Sequence, residues 1–193
     1  GPGREWGMAI ADVDEDGYND VMVGGVSNRL KVFLMDANGV DSVYWMPLPN
    51  IFLQAANFVD IDNDGLIDLF ACDDNAVSSA YRNLGNNDWL YDLTLIDASS
   101  PDPNDDNSGN YGSVWTDYDS DGDIDLYLSK CRGGVSDPFD GRRTNLLFEN
   151  DGSNNYTEKA LTVGLRPYAQ SWAADFADID NDGDLDCFVV NHD

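Results

Sequence analysis

A nine-residue acidic phrase occurs four times in this chain, and it limits the possible folds more than any other feature. It starts at Asp12 (DVDEDGYND), Asp60 (DIDNDGLID), Asp117 (DYDSDGDID) and Asp178 (DIDNDGDLD). Each copy has Asp at positions 1, 3, 5 and 9 and Gly at position 6, with an apolar run directly after. Ca²⁺ takes roughly six to eight hard oxygen ligands in a flexible geometry, which alternate carboxylates and a backbone carbonyl at position 7 can supply. Gly at position 6 gives the positive φ that a chain wrapping a cation needs. Without a cation, four carboxylates held so close repel one another. Plain acidic surface turns would have to produce the same pattern four times by chance, so it is read as a structural repeat.

The expected ligands follow from the spacing. They are Asp12, Asp14, Asp16 and Asp20 with the carbonyl of Tyr18, and Asp60, Asp62, Asp64 and Asp68 with that of Leu66. The later copies offer Asp117, Asp119, Asp121 and Asp125 with the carbonyl of Asp123, and Asp178, Asp180, Asp182 and Asp186 with that of Asp184. About four Ca²⁺ are expected. An EF-hand is excluded, because it needs a bidentate Glu at position 12, where Val23, Ala71, Leu128 and Val189 stand. Short apolar, β-branched or aromatic runs follow each loop and read as buried strand. The loop is therefore the turn of a β-hairpin.

The repeat is longer than the loop. Six residues before each first Asp stands Trp6, Gln54, Tyr111 or Trp172, then a small residue (Gly7, Ala55, Gly112, Ala173). Two before the Asp comes Ile10, Phe58, Trp115 or Phe176. This describes an inner strand with one bulky face and one crowded point. A third strand is expected at Leu30–Met35, Ala80–Asn83 and Asn145–Glu149, and a fourth at Val43–Met46, Trp89–Leu95 and Tyr156–Ala160. Turn signals (Asn38-Gly39, Gly85-Asn86, Asp151-Gly152) separate them. Each unit is then four antiparallel strands, A to D, with the acidic loop between A and B. First Asp residues stand 48, 57 and 61 positions apart, close to the period of propeller blades.

On these residues the chain resembles the FG-GAP/VCBS repeat family of calcium-loop β-propellers, seen in integrin α subunits and bacterial surface proteins. Trp6-Gly7 and Tyr111-Gly112 stand for the Phe-Gly of the name, whereas Gln54-Ala55 and Trp172-Ala173 depart from it. The segment Asn145–Gly152 (NLLFENDG) is similar to the bacterial form. The resemblance implies Ca²⁺ on the matching Asp residues and an extracellular, cell-surface or periplasmic platform for binding or adhesion.

The expected fold is an all-β propeller arc of about four four-stranded blades. Its units are about 4–48, 49–99, 100–163 and an incomplete 164–193, while Gly1–Gly3 reads as a tag remnant. An arc has open edges, which invite ring closure or self-association. In such a blade the A–B loops share one face. The longest connections, Asp97–Asn110 and Cys131–Thr144, lie on the other, where binding usually resides. Arg132, Arg142, Arg143 and Arg166 fall there and make a candidate face for a protein or an acidic glycan. The alternative is that they pair with neighbouring Asp.

The net charge of -27 argues against nucleic acid or an anionic membrane, and no run is long enough for membrane insertion. Cys72, Cys131 and Cys187 have no zinc-type spacing and read as small buried hydrophobes. A polysaccharide lyase on a calcium-stabilised propeller is the competing class. The single His192 and the lack of a nucleophile–base constellation weigh against it. A module that closes a ring with another chain is the third.

Overall fold

The computed structural model describes residues 5–47 and 50–192; the expected tag remnant and the outermost unit limits lie outside these. Strands alternate with tight turns throughout. The first unit is β1 (Glu5–Ala11), β2 (Asp20–Asn28), β3 (Lys31–Asp36) and β4 (Gly39–Trp45). The second is β5 (Ile51–Val59), β6 (Asp68–Asp73), β7 (Ser79–Asn83) and β8 (Trp89–Tyr91). The third is β9 (Asn110–Thr116), β10 (Asp125–Lys130), β11 (Leu146–Asn150) and β12 (Tyr156–Glu158), and a final hairpin follows, β13 (Gln170–Ala177) and β14 (Asp186–His192). Among the described residues the one helical piece is a 3-10 turn, Gly141–Arg143, and no helix is long and apolar enough to cross a membrane.

Every pairing is antiparallel. The inner strands lie against one another in sequence order, β1 on β5, β5 on β9 and β9 on β13. This is the radial stacking of propeller blades, and the fold is an incomplete β-propeller arc. Each small residue after the bulky one marks a close approach between blades. A Cβ on Gly7 would lie 2.9 Å from Leu53 Cδ2, and one on Gly112 only 2.8 Å from the carbonyl oxygen of Trp172.

The core is divided among the blade junctions. Met22, Val32 and Leu34 meet Leu53, Leu69 and Tyr81 between the first two units. Phe70, Cys72 and Ala80 meet Leu126, Leu128 and Leu146 between the next two. Tyr127 and Leu147 meet Ala174, Phe176 and Val189 at the third junction. Middle strands such as β6 (DLFACD) and β10 (DLYLSK) are buried along their whole length, which is why they read as unbroken runs. One position repeats in every junction. The residue two after the last loop Asp, as in Phe70 and Tyr127, meets the next unit's inner-strand aromatic, Trp115 at 5.3 Å and Phe176 at 5.6 Å. At the two ends the halves of this contact are unmatched, with Ile10 55% and Phe188 65% exposed.

Several expectations need correction. The first two units are not separate sheets, because β2 runs on to pair with β5 at Val26–Phe52. The outer strands are shorter than expected in two units. The second stops at Tyr91, where Asp92 turns the chain by accepting from the amide and hydroxyl of Thr94 (2.9 and 2.6 Å). The third stops at Glu158, whose Oε1 accepts from the amide of Ala160 at 2.9 Å. All four inner strands also carry a register shift at or beside Trp6, Gln54, Tyr111 and Trp172. The three cysteines are free, Cys72 and Cys131 buried and Cys187 partly so. Burial pushes the Cys72 thiol up to about 12.

Candidate metal loops and the opposite face

The four acidic phrases build one turn four times. The first Asp accepts from the amides of positions 5 and 6. In the first loop Asp16 N donates to Asp12 Oδ1 (3.1 Å) and Gly17 N to Asp12 Oδ2 (2.9 Å). Asp60, Asp117 and Asp178 repeat this. Glycine at position 6 holds φ between 92° and 99° in all four loops, a conformation that disfavours other residues.

The last Asp ties the loop to the sheet. Asp20, Asp68, Asp125 and Asp186 each accept from the amide of position 2, at 2.9–3.1 Å. In the first three units the other oxygen accepts from the third strand: Met35 N to Asp20, Asn83 N to Asp68 and Asn150 N to Asp125, at 2.8–2.9 Å. Asp20, Asp68 and Asp125 are buried. Burial pushes the carboxyls of Asp68 and Asp125 up to about 6, against the pull of their backbone hydrogen bonds. Asp186 has no third strand beside it among the described residues and is exposed.

The carboxylates of positions 1, 3 and 9 converge. Asp12, Asp14 and Asp20 each offer an oxygen within 4.8 Å of the others, as do Asp60, Asp62 and Asp68; Asp117, Asp119 and Asp125; and Asp178, Asp180 and Asp186. The position-5 residues Asp16, Asp64, Asp121 and Asp182 lie outside these groups. Each instead accepts from the amide of position 7, that of Tyr18, Leu66, Asp123 or Asp184.

Two observations bear on whether a cation fits. Asp14 Oδ1 and Asp62 Oδ1 are buried and have no hydrogen-bond partner, a costly state for an anionic oxygen unless something positive faces it. Burial, then the charges of Asp20 and Asp16, hold the Asp14 carboxyl above its usual range. The donor set is all oxygen, without His or Cys, which suits a hard divalent cation. The residues present fit Ca²⁺.

Groups outside the loops also reach them, and sequence spacing gives no hint of this. Asn83 Nδ2 donates to the carbonyl of Val13 (2.9 Å), Asn154 Nδ2 to that of Asp62 (2.9 Å) and Tyr156 Oη to that of Ile61 (3.0 Å). Each of the first two loops is therefore clamped by the blade that follows it. The side chains of Arg82 and Glu149, on the third strands, also face the second and third loops. The cluster Asp102–Asn107 builds no group of this kind. Asp102 caps Asn104, Asp105 pairs with Lys130 and Asp106 accepts from Ser108.

On the opposite face the four arginines divide. Arg132 Nη1 pairs with Asp74 Oδ1 at 3.1 Å, and Arg142 binds Asp140 through Nε (2.8 Å) and Nη2 (2.6 Å). These two are neutralised by neighbours. Arg143 donates to the carbonyl of Val135 (3.2 Å) and Arg166 to Thr144 Oγ1 (3.4 Å). Both keep a buried Nε without a partner, and among the described residues neither has a carboxylate in ion-pair range. On the same connections Phe139 and Tyr168, both exposed, meet edge to face at 5.0 Å.

Fold and loops together define a class: an all-β propeller arc whose A–B turns each gather three carboxylates. The pattern for the FG-GAP-like repeat matches residues 12–70 and 134–189. The chain belongs to the FG-GAP-like repeat family. It is also 31% identical over 138 residues to cartilage acidic protein 1 of Xenopus tropicalis, an alignment covering 64% of this chain and 20% of that protein. The chain thus corresponds to about a fifth of the length of that relative.

Proposed function

We propose that this chain is a calcium-stabilised, extracellular binding module in which the metals are structural and the ligand face lies opposite the metal loops. The observation that carries it is the fourfold convergence of the position 1, 3 and 9 carboxylates, with the Asp14 and Asp62 oxygens buried and unpartnered. In each loop these three residues would hold the cation, which supplies charge neutralisation. The backbone supports the same geometry through the amides bound by the first and last Asp.

An extracellular setting suits such sites, since modules outside the cell work with calcium affinities of roughly 10⁻⁴–10⁻³ M. The relative's name joins cartilage and acidity, and this chain shares the second property. Ligand binding is assigned to the connections around Arg143, Arg166, Phe139 and Tyr168. Two guanidinium groups with no carboxylate in ion-pair range among the described residues stand on the same connections as an exposed aromatic pair, on an otherwise acidic protein, which suits an acidic glycan or a carboxylate-rich protein surface.

The test is calorimetric titration with calcium alongside thermal melts in calcium and in chelator. About four ions bound, with a melting point that falls in chelator, is the expected result. No heat of binding and identical melts would refute the proposal.

A further inference from the structure

The third strands meet the loops in a fixed register. Met35, Asn83 and Asn150 donate their amides to the last Asp of their own loop. The residue immediately before each is therefore equivalent in the three units, as the pairings Val21–Phe33, Leu69–Tyr81 and Leu126–Phe148 confirm. Those residues are Leu34, Arg82 and Glu149: one neutral, one positive, one negative.

Their surroundings follow their charge. Leu34 is buried in the first junction. Arg82 places Nη1 on Asp62 Oδ2, the second carboxylate of its loop, and Nε on Asp92 Oδ2 at 3.0 Å. Asp62 Oδ1 stays buried and unpartnered while Oδ2 is taken by the guanidinium. Glu149 Oε2 accepts from Tyr118 Oη at 2.6 Å, at the second position of the third loop, and its charge adds to that of Asp121 on Asp119.

We propose that this one third-strand position sets the order of cation affinity among the loops, with the Glu149 loop tightest, the Leu34 loop intermediate and the Arg82 loop weakest. The inference rests on the calcium reading above and adds to it. A cation entering the second loop must displace a guanidinium from one of its three carboxylates and then sit beside its charge. At the third loop the same position adds a further carboxylate close to the site, its charge shared with Lys159 Nζ at 3.8 Å from Oε1. Ligand charge count is a general determinant of calcium affinity, and a full charge a few ångströms away shifts a binding constant by about tenfold or more even when partly screened. The second loop would then fill and empty at calcium levels that leave the third occupied. The fourth loop, exposed and with no third strand described beside it, stands outside this order.

Calcium titration by calorimetry on the whole chain tests the inference with three variants. Arg82→Leu installs the residue that the first unit already accommodates, and it should strengthen the weakest class of sites by about tenfold. Arg82→Lys keeps the charge and should leave that class weak. Glu149→Gln should weaken the tightest class by a similar factor. Adding Asp60→Ala to Arg82→Leu should remove the strengthened site, which assigns it to the second loop. Ions bound in the expected number with affinities unchanged by Arg82→Leu and Glu149→Gln would overturn the inference alone. Absence of calcium binding by every variant and the parent would overturn the calcium reading and this inference with it.

Discussion

Asp68 and Asp186 occupy the same position of the repeat but make different numbers of bonds, so truncating each to Ala separates the loop's hydrogen bonds from the proposed binding of a cation. Asp68 is fully buried and accepts from Ile61 N at 3.1 Å and Asn83 N at 2.9 Å. Bonds to a charged acceptor contribute about 1.5–3 kcal/mol each, and removing the acceptor strands both amides. Burying the carboxylate offsets part of this, as its pKa of about 6 records. The expected net loss for Asp68→Ala is therefore about 2–4 kcal/mol without metal. Asp186 is exposed and accepts only from Ile179 N at 3.0 Å, so Asp186→Ala should cost about 1 kcal/mol or less. Urea unfolding in chelator, followed by tryptophan fluorescence, reads these values directly. Calorimetry in calcium should show one ion fewer for each variant. Equal losses for the two in chelator would refute the argument that the third strand anchors the loop. An unchanged ion count would refute the assignment of the last Asp as a ligand.

Other perturbations test other parts of the molecule. Gly112→Ala places a methyl group 2.8 Å from the backbone oxygen of Trp172, which cannot yield by a rotamer change, so a loss of about 1–3 kcal/mol is expected in the same urea assay. Ile10→Asp and Phe188→Asp each put a charge on one unmatched half of a blade junction. Sedimentation should show less concentration-dependent association for either than for the parent chain. Arg143→Ser with Arg166→Ser should abolish retention on an immobilised acidic glycan, while Arg132→Ser should not, because Asp74 already neutralises Arg132.

The acidic loops were legible because their converging carboxylates lie within nine residues of one another in a chain that folds back on itself. The same locality let the strands after each loop be read as buried runs, since β6 and β10 are covered on both faces. What escaped depends on register between segments far apart. Asn154 reaches the carbonyl of Asp62 across 92 residues and Tyr156 that of Ile61 across 95, and no spacing rule links them. Arg82 and Glu149 look like ordinary polar residues of the third strands until the pairing with β6 and β10 fixes where they point. The spacing groups position 5 with positions 1, 3 and 9, and the structure sets it slightly apart: Asp16, Asp64, Asp121 and Asp182 lie outside the converging groups and accept from the loop's own amides. On the far face, sequence showed a cluster of arginines but not which of them had acidic partners.

The clamps between blades bear on what the metals would do for the arc. The second unit holds the first loop through Asn83, and the third holds the second loop through Asn154 and Tyr156. Burial of the three converging carboxylates falls along the chain in step with this. The first two groups have two partly buried members and one buried, the third has one exposed member, and the fourth is exposed throughout. Among the described residues no blade follows the fourth loop. A loop is therefore shielded to the extent that a following blade covers it, and a cation that stiffens the loop also stiffens the surface on which that blade rests. Metal binding and blade stacking should support each other. A chain variant that loosens a junction, such as Gly112→Ala, should then weaken calcium at the adjoining loop even though no ligand has been touched.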